Sequence, residues 1–485
     1  MTAPDSASPR EGKFVRALGL FDGTAIVAGG MIGSGIFIVS QEIAATVGSG
    51  GWLLLVWTIT AVMTLAVALS YGELAAMYPE AGGQYVYLRE AYSPLWGFLY
   101  GWTLFLVIQS GCLAAVGVAF AKYLGVLVPG ISTRNWLFHL TDLKVGAMTI
   151  PIGVNTAQLV GIGIIALLTA NNCINLKAGK LVQAVFTVAK VLSLVVIIVV
   201  GFAFGRADSA LHAPGFWTAR GAGGVPLEGL ALFAAVWVAM IGSMFSADAW
   251  NNVTFVAAEV KDPRKNVGRS LILGAGGVVV LYVLVNFAYL NLLPFDAIAT
   301  APEQRVAAAA MGRVVPWGAL AISVVVMVST FGCLNGMILA GPRLYYAMAR
   351  DGVFFAAAGR LGVRSGVPVK GLVIQGVWSA VLTLSGTYSD LLAYVMFAAL
   401  LFYVLTIAGI FILRRKAPRL ERPYRAWGYP VVPALYILAA LTMMVVILIY
   451  KPLYTWPGLG IVALGVPVYF VWRAARRRSA SSAAR

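Results

Sequence analysis

Three places along this chain hold residue types that a long apolar run does not accept without a reason. The first is Gly29-Gly30-Met31-Ile32-Gly33-Ser34-Gly35-Ile36-Phe37, inside the first such run. Each glycine costs a helix about 0.8–1 kcal/mol relative to alanine. Irregular backbone at bilayer depth survives only where protein buries it or where it lines a wet cavity. A helix broken there turns N–H groups into the gap, which suits a carboxylate. Gly29 and Gly33 equally fit the small-xxx-small spacing that lets helices approach closely, so this stretch alone leaves both readings open.

The second place is Lys190, alone in an apolar span that starts near Leu181. A helix carries it about 14 Å into a ~30 Å hydrocarbon core. Lysine snorkels to the interface only from near a helix end. Lys190 therefore faces the bundle interior with a partner, either in a structural ion pair or as a functional charge, the default for an intramembrane ionisable group. The third place is Phe245-Ser246-Ala247-Asp248-Ala249-Trp250-Asn251-Asn252. Its carboxylate, placed at the bilayer centre, costs about 2.5–3.5 kcal/mol on insertion scales, and the fold must offset that.

The elements that position these residues follow from composition and charge. Hydrophobic residues make up 60% of the 485 positions and charged residues 11%, which fits a polytopic helical membrane protein and no long soluble domain. Twelve segments can be drawn, at 18–41, 50–77, 92–124, 154–173, 181–204, 230–257, 270–293, 315–341, 371–387, 389–413, 431–450 and 457–472. With the N-terminus cytoplasmic, about three quarters of the 35 lysines and arginines fall in cytoplasmic stretches. The positive-inside rule then puts both termini in the cytoplasm. The formal charge of +17 is thereby topology, not a nucleic-acid footprint. The layout is a cytoplasmic tail over 1–17, one membrane-embedded domain over 18–472 and a basic cytoplasmic tail over 473–485.

Cys112, Cys173 and Cys333 lie within or at the ends of apolar segments, so the sequence offers no disulfide framework and no metal site. The connection over 125–153 holds His139 but no second histidine at ligand spacing. Tyr78 to Tyr87, with Pro79 and the Gly82-Gly83 pair, reads as a bent connection, re-entrant or an ordinary loop. Gln109 and Ser110, at mid-depth in the third segment, read as interhelical hydrogen-bond partners before cavity groups. A membrane-embedded enzyme is disfavoured by two histidines in all and no nucleophile–base constellation. No cofactor is expected.

The glycine break lies in segment one and the polar break in segment six, each opening a block of five. Interruptions at corresponding positions of two halves point to a transporter binding site. An odd number of helices per block makes the halves, 18–204 and 230–413, inverted repeats, with 431–472 appended.

These residues resemble the amino acid–polyamine–organocation (APC) superfamily, and within it the L-type amino acid transporter (LAT)-like branch. The carriers are Gly33-Ser34-Gly35-Ile36-Phe37, the Pro79 to Tyr87 stretch, Phe245 to Asn251 followed by Glu259 to Pro263, Phe331 to Gly336 with Arg343, and Arg422 to Pro430. The resemblance runs from Leu20 to Pro430. It implies an all-α fold of twelve transmembrane helices, a LeuT-type 5+5 inverted repeat with helices 1 and 6 discontinuous.

It also implies roles. The substrate α-carboxylate meets N–H groups at Ser34 and Gly35, beside Gly33. The α-ammonium meets the carbonyls of Met31, Phe245, Ser246 and Asp248. Phe245 closes over bound substrate, and Asn251 and Asn335 border the cavity. Lys190 stands where a sodium ion binds in sodium-coupled relatives, against carbonyls near Gly29 and Gly30. Ala247 and Ala249 depart from the aromatic and glycine commoner in this branch, and Gly268 replaces a frequent proline. The 125–153 loop lacks the cysteine that bonds animal LAT proteins to a heavy chain, so no disulfide-linked partner is expected. The expected function is sodium-independent amino acid transport across the cell membrane by alternating access, as exchanger or proton-linked symporter. Alternatives are a polyamine or other amine permease of the same fold and a non-transporting amino acid sensor.

Overall fold

The computed structural model describes residues 16–145, 148–174, 177–362, 367–384 and 388–483, so the expected N-terminal tail, 1–17, lies outside the described residues except for its last two. The long helices are α1 (Leu20–Met31, continuing as Gly35–Ile38 and Ser40–Val47), α2 (Gly50–Met77), α3 (Pro94–Leu127) and α4 (Thr156–Ile174). Next come α5 (Lys177–Ala203), α6 (Gly229–Ser246, continuing as Asn252–Phe255), α7 (Pro263–Leu292) and α8 (Gly318–Arg350). The series ends with α9 (Val369–Thr383), α10 (Tyr388–Lys416), α11 (Val431–Tyr450) and α12 (Pro452–Ala483). Eleven of them are long and apolar enough to cross a bilayer, and α9 is apolar but shorter. The protein is a multi-pass membrane protein.

Several boundaries differ from the sequence expectation for local reasons. Helix α8 does not stop at 341 but runs through Pro342 to Arg350. Proline removes the N–H that would bond the carbonyl four residues back, and here Gln375 Nε2 donates to that carbonyl, Ile338 O, at 3.3 Å. The stretch after Pro79 forms a helix, Gln84–Ala91, with Gln84, Tyr85, Val86, Tyr87 and Leu88 buried, instead of an irregular loop. The connection over 125–153, for which the sequence reading assigns no regular structure, contains an antiparallel hairpin of β1 (Trp136–Val145) and β2 (Met148–Asn155).

Packing follows a five-helix shift. Helix α2 packs on α7, α3 on α8 and α4 on α9. The contact of α1 with α7 has its counterpart in α6 with α2, and that of α5 with α7 in α10 with α2. Likewise α5 with α8 matches α10 with α3, α3 with α4 matches α8 with α9, and α1 with α5 matches α6 with α10. Two halves related by a pseudo-two-fold axis, as in internally repeated transporter folds, produce this reciprocity. It sets α1 and α6, the two interrupted helices, at equivalent places in the bundle.

Helix α5 shows how the fold sorts its faces. Val188, Leu192, Val196 and Val199 are exposed, as a lipid-facing stripe requires, whereas Thr187, Lys190, Leu194 and Ile197 are buried. That i, i+3, i+4 spacing turns the lysine inward.

Candidate functional site

The first half of α1 ends at Met31. Ile32 leaves the helical region at φ −74°, ψ 80°, its N–H still bonded to Ala28 O at 2.9 Å. Gly33 N–H turns back to Met31 O at 2.8 Å, and helix resumes at Gly35. The first N–H groups of the new helix have no acceptor within it. Ser34 directly precedes it and is buried. Glycine is required at Gly35 by close approach, since a Cβ there would lie 2.8 Å from Ser246 Cα; one on Gly33 would lie 3.0 Å from Cys333 Sγ and ask that side chain to give way. The α1 break therefore rests directly on the end of the first half of α6.

The α6 break runs from Ala247 to Asn251. Ala249 has φ 64°, a left-handed conformation that costs a non-glycine residue roughly 1–2 kcal/mol. This is the position where glycine is commoner in the resembling branch, and the backbone shows why. Phe245, in the last turn before the break, is buried, and its carbonyl accepts Asp248 N–H at 3.2 Å. Asp248 Oδ1 accepts from Tyr403 OH of α10 at 2.5 Å. Asn251 Nδ2 donates to Gln84 Oε1 at 3.4 Å, and Gln84 Nε2 to Thr406 Oγ1 at 2.9 Å.

Tyr282 of α7 joins the two breaks. Its hydroxyl lies 2.7 Å from Met31 O and 3.1 Å from Ser246 O. With Gly33 N–H and Tyr282 OH both donating to it, Met31 O has both lone pairs occupied. A substrate ammonium at these carbonyls has to displace or share that hydroxyl.

Lys190 Nζ donates to Gly29 O at 2.7 Å, and Cys333 Sγ donates to the next carbonyl, Gly30 O, at 3.2 Å. Thr187 Oγ1 adds a bond to Ala25 O at 3.2 Å. Three side chains of α5 and α8 thus hold consecutive turns at the end of the first half of α1. Among the described residues no carboxylate pairs with Lys190, so the structural ion pair considered from sequence is not what stabilises it.

A small cavity of about 20 Å³ opens beside the α6 break, walled by Asp248, Asn251, Gln84, Gln109, Met337 and Tyr403 among others. Of the substrate-binding residues expected from sequence, Asp248 and Asn251 line it. Met31, Gly33, Ser34, Gly35, Phe245 and Ser246 lie at the closed junction of the two breaks, outside its wall. Asn335 faces α4 instead, its Oδ1 accepting from Asn172 Nδ2 at 2.8 Å. Gln109 does both things considered for it: it walls the cavity and donates to Met337 O at 2.7 Å.

Sequence reasoning did not find Tyr282, Tyr403, Gln84 or Asn172. The available signal was a lone hydroxyl or amide in an apolar run, which when buried needs a partner; Tyr282 sits in Val278-Val279-Val280-Leu281-Tyr282-Val283-Leu284-Val285.

Residues 18–470 match the family model for amino acid permeases. The chain is 28% identical to the human b(0,+)-type amino acid transporter 1 over 472 residues, covering 96% of this chain and 90% of that protein. It is 29% identical to large neutral amino acids transporter small subunit 2 of Mus musculus over 485 residues, covering 97% and 84%. It is also 29% identical to Asc-type amino acid transporter 1 of Mus musculus over 471 residues, covering 94% and 82%. Five motifs in order, two facing helix breaks and these matches agree: the chain belongs to the amino acid permease family, in the LAT-like branch of the APC superfamily.

Proposed function

We propose that this permease moves an amino acid by alternating access without sodium, through repeats at 18–204 and 230–413, with both termini cytoplasmic in the cell membrane. The observation that carries the reading is Lys190 Nζ on Gly29 O at 2.7 Å, directly against the α1 break. An ammonium held there supplies the positive charge that a bound cation would otherwise bring to the end of the half-helix, where carbonyl dipoles favour cations. The substrate α-carboxylate binds the N–H groups of Ser34 and Gly35, with Gly33 giving room for approach. The α-ammonium takes the carbonyls of Met31, Phe245, Ser246 and Asp248, competing with Tyr282. The substrate side chain extends toward Asn251, and Asn335 ties α8 to α4 through Asn172.

Phe245 is the closing residue. No disulfide-linked heavy chain is proposed, because the α3–α4 connection contains no cysteine. One observation favours a second reading, an amine permease: Asp248 puts a carboxylate in the cavity wall. Competition in proteoliposomes separates the two. Labelled amino acid taken up in exchange for internal amino acid is inhibited by the parent amino acid and poorly by its decarboxylated amine under the leading reading. Equal inhibition by the amine removes the carboxylate site and supports the second.

A further inference from the structure

We propose that the side-chain carboxylate of Asp248 is the proton-carrying group of this transporter, so that substrate moves with a proton bound at the α6 break. The proposal rests on the transport reading above and assigns its coupling ion.

Asp248 is 7% exposed and stands in the cavity wall at the level of the break. Its hydrogen-bond donors are Tyr403 OH, at 2.5 Å, and the Ala249 backbone N–H. The titratable groups that interact with it are Tyr100 and Cys112 from α3, Tyr403 from α10 and Tyr436 from α11. All four are uncharged acids at neutral pH. Among the described residues no lysine, arginine or histidine pairs with it. Two hydrogen bonds without a counter-charge leave an ionised carboxylate in mid-membrane poorly compensated. A positive charge has to come from outside the protein, as a proton or as a cationic group of the solute.

The wall favours the proton. An ammonium brings three donors and a guanidinium five, and the lining offers one carboxylate beside Leu104, Ile108, Met337 and Ala399. Of the nearby amide oxygens, Gln84 Oε1 already accepts from Asn251 Nδ2 at 3.4 Å. A proton needs a single oxygen. It also has a mechanical consequence. Protonation turns Asp248 from acceptor-only into a donor, which changes the Tyr403 contact that ties the α6 break to α10. Lys190, fixed on Gly29 O of α1, leaves that contact untouched. The two intramembrane charges then have separate tasks, Lys190 in place of a metal cation and Asp248 as carrier.

The test uses the full chain in proteoliposomes, with labelled neutral amino acids and, separately, labelled lysine. Under an imposed pH gradient with the membrane potential clamped, the unaltered protein accumulates neutral amino acid. Asp248→Asn falls to the level seen without a gradient, and its slower counterflow no longer varies with pH. Asp248→Glu restores part of the gradient-driven uptake. Tyr403→Phe, which keeps the carboxyl and removes its donor, displaces the midpoint of the pH profile.

Accumulation by Asp248→Asn as strong as that of the unaltered protein overturns the proposal. So does a variant that loses only lysine uptake while neutral uptake stays gradient-driven, which would make the carboxylate a receptor for a cationic side chain. Counterflow without any gradient-driven accumulation in the unaltered protein overturns it too, and leaves the transport reading standing. No counterflow of any amino acid refutes the transport reading itself.

Discussion

At the scale of single residues, Gly35 is harder to replace than Gly33, its neighbour at the α1 break. The Cβ of an alanine there would sit 2.8 Å from Ser246 Cα, so the clash is with backbone and no rotamer relieves it. Gly35→Ala should already reduce uptake at least tenfold and Gly35→Val abolish it, whereas Ser34→Ala, which keeps the backbone N–H, weakens it only a few-fold. Labelled uptake normalised to inserted protein checks this; normal transport by Gly35→Val contradicts the carboxylate site. Phe245→Ala should lose most transport with the protein still inserted, and Phe245→Trp should keep part of it. Ala249 makes the opposite kind of prediction. Its φ of 64° means that Ala249→Gly removes about 1 kcal/mol of backbone strain, and the purified protein should melt at a higher temperature. A lower melting temperature would show that the surroundings, not the residue type, set the cost.

Between elements, both membrane faces of the bundle are held by polar contacts. On the face of residue 16, Leu18 exchanges backbone hydrogen bonds with Glu259 and Lys261, and Arg343 of α8 grips Glu259 at 2.6 Å. On the opposite face, Glu303 accepts from Ser132 Oγ and Thr133 Oγ1, both at 2.9 Å, and Lys122 of α3 donates to Gln304 at 2.7 Å. Burial works to raise the Glu303 carboxyl, but hydrogen bonds from Thr133 and Ser132 and the charges of Lys122 and Arg305 hold it below the usual carboxylate range. A carboxylate held low stabilises the fold above its unfolded pKa, and that contribution disappears as pH falls through the folded value. Thermal stability should therefore drop in acid for the unaltered protein and drop less for Glu303→Gln, measured as melting temperature against pH. An identical acid slope in the variant would remove Glu303 from the latch.

The sequence made the paired breaks legible because glycines and a carboxylate in apolar runs are physically anomalous wherever they occur. It made the inward side of Lys190 legible because depth excludes snorkelling. Tyr282, Tyr403 and Asn172 were not legible, since a hydroxyl or amide in a helix reveals its partner only when the facing helix is known. The continuation of α8 past Pro342 was hidden for the same reason: its compensating donor, Gln375, comes from another helix.

For the whole molecule, the account requires two inverted halves to rock about the junction where Gly29–Gly35 meets Phe245–Asn251, with Lys190 supplying the charge that would otherwise be a metal cation. The five-helix reciprocity of packing sets the two breaks at equivalent positions of the two halves. The most direct measurement is counterflow of labelled amino acid into proteoliposomes with all sodium replaced by choline, for the unaltered protein and for Lys190→Ala. The account predicts equal uptake with and without sodium in the unaltered protein, and in the variant a loss of at least tenfold while substrate binding stays detectable. Uptake that needs sodium, or a Lys190→Ala variant that transports normally, would contradict it.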